Sequence, residues 1–518
     1  MSVHRDSSSL TFRAGRAVGF RLGGNLASVL LGIGLGVILA RILPPREFGI
    51  FGVGWGIVAM AEIVGSCGML QALVQRKTLG AEDEATAGIL QLSGALLLGG
   101  GLVVAGPTLE RLFGMPGLGP LIQVQSVVLV VNGLGLVPTS RLTRRLAFGR
   151  LTAIDTGTRV LGGVVSILSA LHGVGAIALA IGSVTTGVSR SCLTWIFAPG
   201  RTPLKFSLDS AKNLLGYGTG ILLIRIFNDF AHRVDVLILG QRLGAEVVGL
   251  YQRAFQLVRN PLYQLTSAAN TVLLPAMASV QDEDWRFRRG YLGAVALSGI
   301  LAFPVLTLLG AMADPLIPLL YGPMWTGTVP ILTGLAFVGY LRVVNNPNGL
   351  VTQARGQVMQ EAACQATFMG LTALFAFAGT AFGIQGVVVG IGMASFIFLV
   401  MMTRLALSIA GLQLRQWLRA LRTAVVSSTV MGSVVWVCKS ILSAHMSGVS
   451  LLITVSFLGL AVYALSVRLL LTTEERQTLE RLSTNLPRRI RNLVRLCMGS
   501  VPACPPESAG RIHLLTDK

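Results

Sequence analysis

The sequence predicts an all-α membrane protein of about fourteen transmembrane helices, and three observations predict it. Hydrophobic residues make up 53% of the 518-residue chain and charged residues only 12%, against about 25% charged in a soluble protein. Apolar runs near the roughly 20 residues that cross a bilayer recur along nearly the whole chain. Lys and Arg gather in alternate loops, the pattern that sets membrane topology.

The apolar runs place spans at 18–42, 48–70, 87–106, 119–139, 151–171, 174–197, 214–240, 247–277, 291–313, 327–349, 360–381, 384–404, 420–441 and 449–470. The seventh and eighth are long and polar for membrane helices. The polar, basic stretch 1–16 leads into the first apolar run without a cleavage site, so that run reads as an uncleaved span. With this end inside, the inner loops carry Arg76 and Lys77; Arg141, Arg144, Arg145 and Arg150; Arg201, Lys205 and Lys212; Arg286, Arg288 and Arg289; Arg355; and Arg404, Arg415, Arg419 and Arg422. The outer loops carry only Arg41, Arg46, Arg111, Arg242 and Lys439. Dropping one span would reverse every later loop and spoil the asymmetry, so both termini are expected to be cytoplasmic. The net charge of +20 is thereby a topological signal. Spread over short loops, it offers no basic face for nucleic acid.

The 62 glycines suit close helix packing, as at Gly15, Gly19 and Gly23 or at Gly32 and Gly36, where small residues four apart let backbones approach. The six cysteines show no metal-ligand spacing and no disulfide framework, so neither a metal nor a cofactor is expected. No phosphate-binding Gly-rich loop with Lys-Ser/Thr is present, which argues against direct ATP use.

An internal repeat sets the organisation. The outer loop Leu43-Pro44-Pro45-Arg46-Glu47-Phe48-Gly49-Ile50-Phe51 matches Leu243-Gly244-Ala245-Glu246-Val247-Val248-Gly249-Leu250-Tyr251 at an offset of 200 residues. Each joins the first helix of a six-helix block to its second. Both blocks enter from the same side, so the repeat is parallel, a transporter pattern with the substrate site between the lobes. The division expected is a cytoplasmic N-terminus at 1–17, an N-lobe at 18–213 (helices 1–6), a C-lobe at 214–412 (helices 7–12), two further helices at 413–471 and a basic tail at 472–518. The tail opens on a capping box at Thr472-Thr473-Glu474-Glu475. It continues with Leu479, Leu482 and Leu486, then Arg488, Arg489, Arg491 and Arg495, a pattern suited to an anionic leaflet.

Ionisable groups inside spans mark function by default, since each costs about 2.5–3.5 kcal/mol at mid-bilayer. Arg225, Asp229 and Arg233 share one helical stripe, flanked by Asn228, His232 and Asp235. Arg253 falls near the outer end of the eighth span. Arg259 lies deeper, beside Asn260 and Pro261. Arg342 precedes Asn345-Asn346-Pro347-Asn348. Two readings stand: an anion site in which Asp229 orients Arg225, or an ion ladder that only satisfies itself. Glu62 is either a coupling site for a proton or cation or the partner of an arginine, and Asp229 and Asp235 are the other coupling candidates. Asp155 and Arg159, spaced i, i+4, read as a structural pair, and Arg190 as a structural residue near the inner surface.

Residues 235–240, Leu243-Gly244-Ala245 and Gly249-Leu250-Tyr251, followed by Ala254, Leu257, Pro261 and Leu274-Pro275-Ala276, together resemble the polysaccharide-exporter (Wzx-type) flippases. So do the segment from Ala40-Arg41-Ile42-Leu43 to Phe51 and the stretch Leu320-Tyr321-Gly322-Pro323-Met324-Trp325. The resemblance covers about residues 10–475. It implies the multidrug/oligosaccharidyl-lipid/polysaccharide exporter superfamily, alternating access between two six-helix lobes and a location in the bacterial cytoplasmic (inner) membrane. The implied cargo is an undecaprenyl-pyrophosphate-linked oligosaccharide of exopolysaccharide, capsule or O-antigen synthesis. The pyrophosphate would fall to Arg225, Arg259 and Arg342, with Arg233, Asp229 and Asn228 in the same cavity. Membrane lipids, a polysaccharide polymerase and a chain-length regulator are the implied partners. The rivals are a membrane polymerase or glycosyltransferase, a drug or cation antiporter of the same superfamily, and a non-transporting scaffold. Short outer loops without a carboxylate or histidine constellation weigh against the enzymes.

Overall fold

The computed structural model describes residues 31–66, 68–76, 79–198, 200, 205–215, 226–446, 448–471, 476 and 492. Among them no strand occurs. The first half runs through α1 (Leu31–Ile42), α2 (Pro45–Ser66), α3 (Met69–Gln75), α4 (Ala81–Phe113), α5 (Leu118–Leu134), α6 (Leu136–Arg144), α7 (Phe148–Leu171), α8 (Ala176–Phe197) and the short α9 (Leu208–Leu215). The second begins with α10 (226–231), α11 (Val234–Leu243), α12 (Ala245–Ser279), α13 (Asp284–Ala311) and α14 (Ala313–Tyr321). It continues through α15 (Thr328–Ala354), α16 (Val358–Gly379) and α17 (Gly383–Ala410) to the final pair, α18 (Leu414–Leu442) and α19 (Gly448–Leu470).

Nine described stretches are long and apolar enough to cross a membrane, α16 and α17 counting as one run, and ten if α5 and α6, bent by 45°, form one span. The 35-residue α12 is among the helices left out. Arg253, Arg259 and Asn260 lower its hydropathy, which is why the sequence already marks that span as polar. Helices also run past the apolar windows. The third span, expected at 87–106, is α4 at Ala81–Phe113, because its acidic first turn (Glu82, Asp83, Glu84) is helical but not apolar. The loop after α13, read from sequence as a plain connection, holds α14 and a 3-10 turn at Pro323–Trp325. Of the glycines singled out, Gly15, Gly19 and Gly23 lie outside the described residues, as does the proposed tail apart from Arg476 and Asn492.

The repeat places the two lobes. α2 and α12 cross at their N-terminal ends, where Gly49 and Gly249 face each other. A Cβ on Gly49 would overlap the carbonyl of Ala245, and one on Gly249 would overlap the carbonyl of Pro45. Ala245 and Pro45 are themselves 200 residues apart, so the contact is symmetric, and only glycine permits it at both positions. One turn on, a Cβ at Gly52 would overlap the Gln252 amide. The lobes therefore meet about a pseudo-two-fold axis through this crossing.

A second register of the repeat appears in the backbone. After α6, Arg145, Leu146 and Ala147 donate to the carbonyls of Arg141, Thr143 and Leu142. After α15, Arg355, Gly356 and Gln357 donate to those of Val351, Gln353 and Thr352. Every pair is offset by 210 residues. Leu146 takes φ 54° where its counterpart Gly356 takes 71°.

The crossing is sealed by aromatic and cationic side chains on the charge-poor face. The Arg253 guanidinium, 8% exposed, lies 3.8 Å from the centroid of Phe48 of α2, with Tyr321 and Trp325 beyond it at 5.8 and 5.9 Å. Trp325 donates through Nε1 to the Ala40 carbonyl at 2.8 Å. Arg41 donates to the carbonyls of Leu320 and Leu319 at 3.2 and 2.6 Å. A Cβ on Gly36 would come within 3.0 Å of Arg253, so that glycine leaves room for a side chain of the other lobe. Gly32 has open space around it, so the expected packing holds for one of the two.

Candidate functional site

Away from the seam, toward the face whose loops carry the arginines, lie two cavities. Both are lined by Asp229, which thus stands on the wall between them.

The C-lobe cavity, about 400 Å³, lies among α10, α12, α15, α16 and α17. Phe255 of α12 organises its charges. Arg342 and Arg259 lie over its ring at 5.5 and 5.8 Å, and His232 has its ring centroid 6.4 Å away. Cations on a ring face are held by the ring's quadrupole, which positions them while leaving their N–H groups unspent. Arg342 Nε and Nη2 and His232 Nδ1 are buried without a hydrogen-bond partner among the described residues. A guanidinium in that condition is costly, and an anion that accepts its fork of donors removes the cost. Toward the basic face the wall becomes polar. Asn270 and Asn346 exchange side-chain hydrogen bonds at 2.8 and 3.2 Å. Glu361, 3% exposed, accepts from the Thr352 hydroxyl at 2.6 Å and the Gln353 amide at 3.3 Å.

The N-lobe cavity, about 450 Å³, has a different lining: Trp55, Glu62, Gln71, Gln91, Asn132 and Thr139, with Arg190 and Arg233 at its edges. Glu62 accepts from the Asn132 amide at 2.7 Å. Arg233 has Asp229 and Glu62 among its electrostatic neighbours. Arg190 donates to Asp155 at 2.7 Å.

Set beside the expectations, Arg259, Arg342, Asp229 and Asn228 line the C-lobe cavity, and Arg233 and Glu62 the N-lobe cavity. Arg225 lies outside the described residues. Asp235 lines neither cavity. It is 1% exposed, and its carboxylate accepts from the Tyr251 hydroxyl at 2.6 Å and from the Val236 N–H at 2.7 Å, so it ties α11 to α12. Asp155 pairs with Arg190 rather than with Arg159. An i, i+4 spacing permits a pair, but a neighbouring helix here brings a better-placed guanidinium. Arg190, read from sequence as structural, makes that pair at the edge of the N-lobe cavity. Sequence reasoning missed Glu361 and the Asn270–Asn346 pair. Each is one polar residue among apolar ones, and only packing shows that they share a wall. Phe255 carried no signal, since an aromatic on an apolar helix normally reads as core.

A model of the polysaccharide biosynthesis protein family matches residues 38–330. The lipopolysaccharide biosynthesis protein WzxC of Escherichia coli (strain K12) is 28% identical over 64% of this chain and 69% of its own length. The teichuronic acid biosynthesis protein TuaB of Bacillus subtilis (strain 168) is 28% identical over 57% of this chain and 62% of its own. The succinoglycan biosynthesis transport protein ExoT of Rhizobium meliloti (strain 1021) is 27% identical over 58% and 60%. Among solved structures, the lipid II flippase MurJ in an inward closed conformation superposes with TM-score 0.67 at 14% identity, over 86% of this chain and 97% of that one. An inward-facing multidrug transporter of the multidrug/oligosaccharidyl-lipid/polysaccharide superfamily gives 0.58 at 17% identity, over 76% and 98%. At these identities the two structures establish the fold.

Proposed function

Because the chain belongs to the polysaccharide biosynthesis protein family, we propose that it is a flippase that carries a diphosphate-linked oligosaccharide on a polyprenyl carrier across the bacterial inner membrane. The carrying observation is the pair Arg259 and Arg342 gathered at the Phe255 ring, with Arg342 donors buried and unpartnered among the described residues at the wall of the C-lobe cavity. A diphosphate accepts bidentately from guanidinium groups and supplies the missing partners. The polyprenyl chain stays in lipid while the glycan occupies the watery space between the lobes.

The names of the relatives support this reading. WzxC and TuaB are named for surface-polysaccharide synthesis and ExoT for transport in it. The seam closed on the charge-poor face and the cavities toward the basic face fit an inward-facing state, with both termini cytoplasmic. Movement of the anionic head outward across a membrane negative inside gains about 2.3 kcal/mol per charge per 100 mV. Membrane potential is therefore a sufficient drive, with Glu62 and Asp229 available for ion coupling. A polysaccharide polymerase and a chain-length regulator are the natural recipients of the product.

The test uses a deletion strain with labelled lipid-linked repeats and a membrane-impermeant sugar-modifying enzyme added from outside. Repeats that accumulate but stay shielded until the membrane is opened are the expected result. Repeats that accumulate within reach, or that are never made, would assign the chain to polymerisation or to earlier synthesis.

A further inference from the structure

The two cavities differ in lining, and the difference assigns each a part of the cargo. The C-lobe cavity presents Arg259, Arg342 and His232, with Asp229 and the hydrogen-bonded Glu361 as its carboxylates. The N-lobe cavity presents two carboxylates, Glu62 and the shared Asp229, and a set of amides, hydroxyls and an indole. Its two arginines are engaged at the rim: Arg190 with Asp155 at 2.7 Å, and Arg233 beside Asp229 and Glu62. Two of its polar side chains are more than nine-tenths buried and keep an oxygen without a partner: Gln91 Oε1 at 6% exposure and Thr139 Oγ1 at 7%. Gln91 comes from α4 and Thr139 from α6, and α2, α3 and α5 supply the neighbouring lining. A volume of about 450 Å³ falls in the range of small-molecule sites, about 300–1,000 Å³.

We propose that the N-lobe cavity is a glycan subsite for an uncharged sugar and that Glu62 makes it reject acidic ones. This rests on the reading of the C-lobe cavity as the diphosphate site. The two cavities share Asp229 as a wall, so a sugar bonded to a diphosphate in one reaches directly into the other. Sugar hydroxyls and acetamido N–H groups donate to Glu62, and to Gln91 Oε1 and Thr139 Oγ1, two buried acceptors without partners among the described residues. A uronate or ketal-linked carboxylate in the same place would meet Glu62 with Asp229 behind it. Like charges brought together away from water are strongly disfavoured. Specificity would arise from repulsion as much as from attraction.

The experiment measures binding to the full chain in detergent micelles with three probes: a short-chain polyprenyl diphosphate, the same carrier bearing one glucose, and the same carrier bearing one glucuronate. The glucosyl carrier should bind tenfold or more tighter than the glucuronyl carrier. Glu62→Gln should shrink that ratio to about threefold or less, chiefly by tighter glucuronyl binding, and Gln91→Leu should weaken the glucosyl carrier alone. The sugarless carrier reports folding in each variant and tests the diphosphate site separately, because Arg342→Gln should weaken all three probes alike. Equal binding of glucosyl and glucuronyl carriers by the unaltered chain, or an unchanged ratio in Glu62→Gln, would overturn the subsite. A sugarless carrier that binds no more weakly to Arg342→Gln would instead overturn the diphosphate reading, and no binding of any probe would overturn both.

Discussion

The two ends of the interlobe interface are built on opposite principles. At the charge-poor end, α2 and α12 approach until glycine is the only residue that fits, and the gap is filled by Phe48, Tyr321, Trp325 and the guanidinium of Arg253. Toward the basic end lie cavities whose Arg342 and Gln91 atoms lack partners among the described residues. One end is packed with rings around a buried guanidinium, the other lined by polar groups around open space. A carrier needs both: a seal that holds without cargo and a site that becomes complete only with it. Alternating access then means exchanging a packed seam for an open one, and the seam's energy sets how readily that happens.

The sharpest way to break this contrast is to wedge the seam. Gly49→Leu should abolish the sealed arrangement, because its side chain would occupy the Ala245 carbonyl. A cysteine at Val248, fully buried in the seam, should change from unreactive to readily labelled by a membrane-impermeant maleimide, with export lost. Unchanged labelling would mean that the seam relaxes around the wedge. A gentler break is Arg253→Ala, which removes the cation from the Phe48 ring and its packing. It should cost about 2 kcal/mol, read as a lower melting temperature in detergent, while binding of a polyprenyl diphosphate stays within about twofold.

Two smaller effects sharpen the account. Leu146 occupies a left-handed position that its repeat counterpart fills with Gly356. Leu146→Gly should raise stability by about 0.5–1 kcal/mol, the left-handed penalty of about 1–2 kcal/mol less the added unfolded-state freedom of glycine. Thermal melting checks it. Asp155→Asn should be the mildest, below about 1 kcal/mol, since both partners of the Arg190 pair are partly exposed. Its informative effect is on the cavity. An unpaired Arg190 should improve binding of a glucuronyl carrier relative to a glucosyl one.

The sequence carried the architecture because hydropathy, loop charge and the 200-residue repeat are collective signals that survive errors at single positions. Gly49 and Gly249 were found by the repeat before their contact was seen. The site was harder to read. Arg259 and Arg342 stood out because a charge in a span is rare, yet the ring they share, Phe255, looked like any apolar residue. Asp235 stood out for the same reason as the arginines but is absorbed by Tyr251, and Asp155 was assigned to its own helix when its partner lies on the next. In each case the missing information is which helix faces which, and a single sequence holds no record of that. The short α14 escaped because its two prolines and nine residues look like a loop.

The most direct test of the central claim is the double variant Arg259→Gln, Arg342→Gln at normal protein level in the deletion strain, read by outside accessibility of the lipid-linked repeats. The account predicts repeats that accumulate and stay shielded, with export lost by a hundredfold or more. Export at the level of the unaltered chain would contradict it, because the diphosphate would then be carried without the two cations that the cavity is built around.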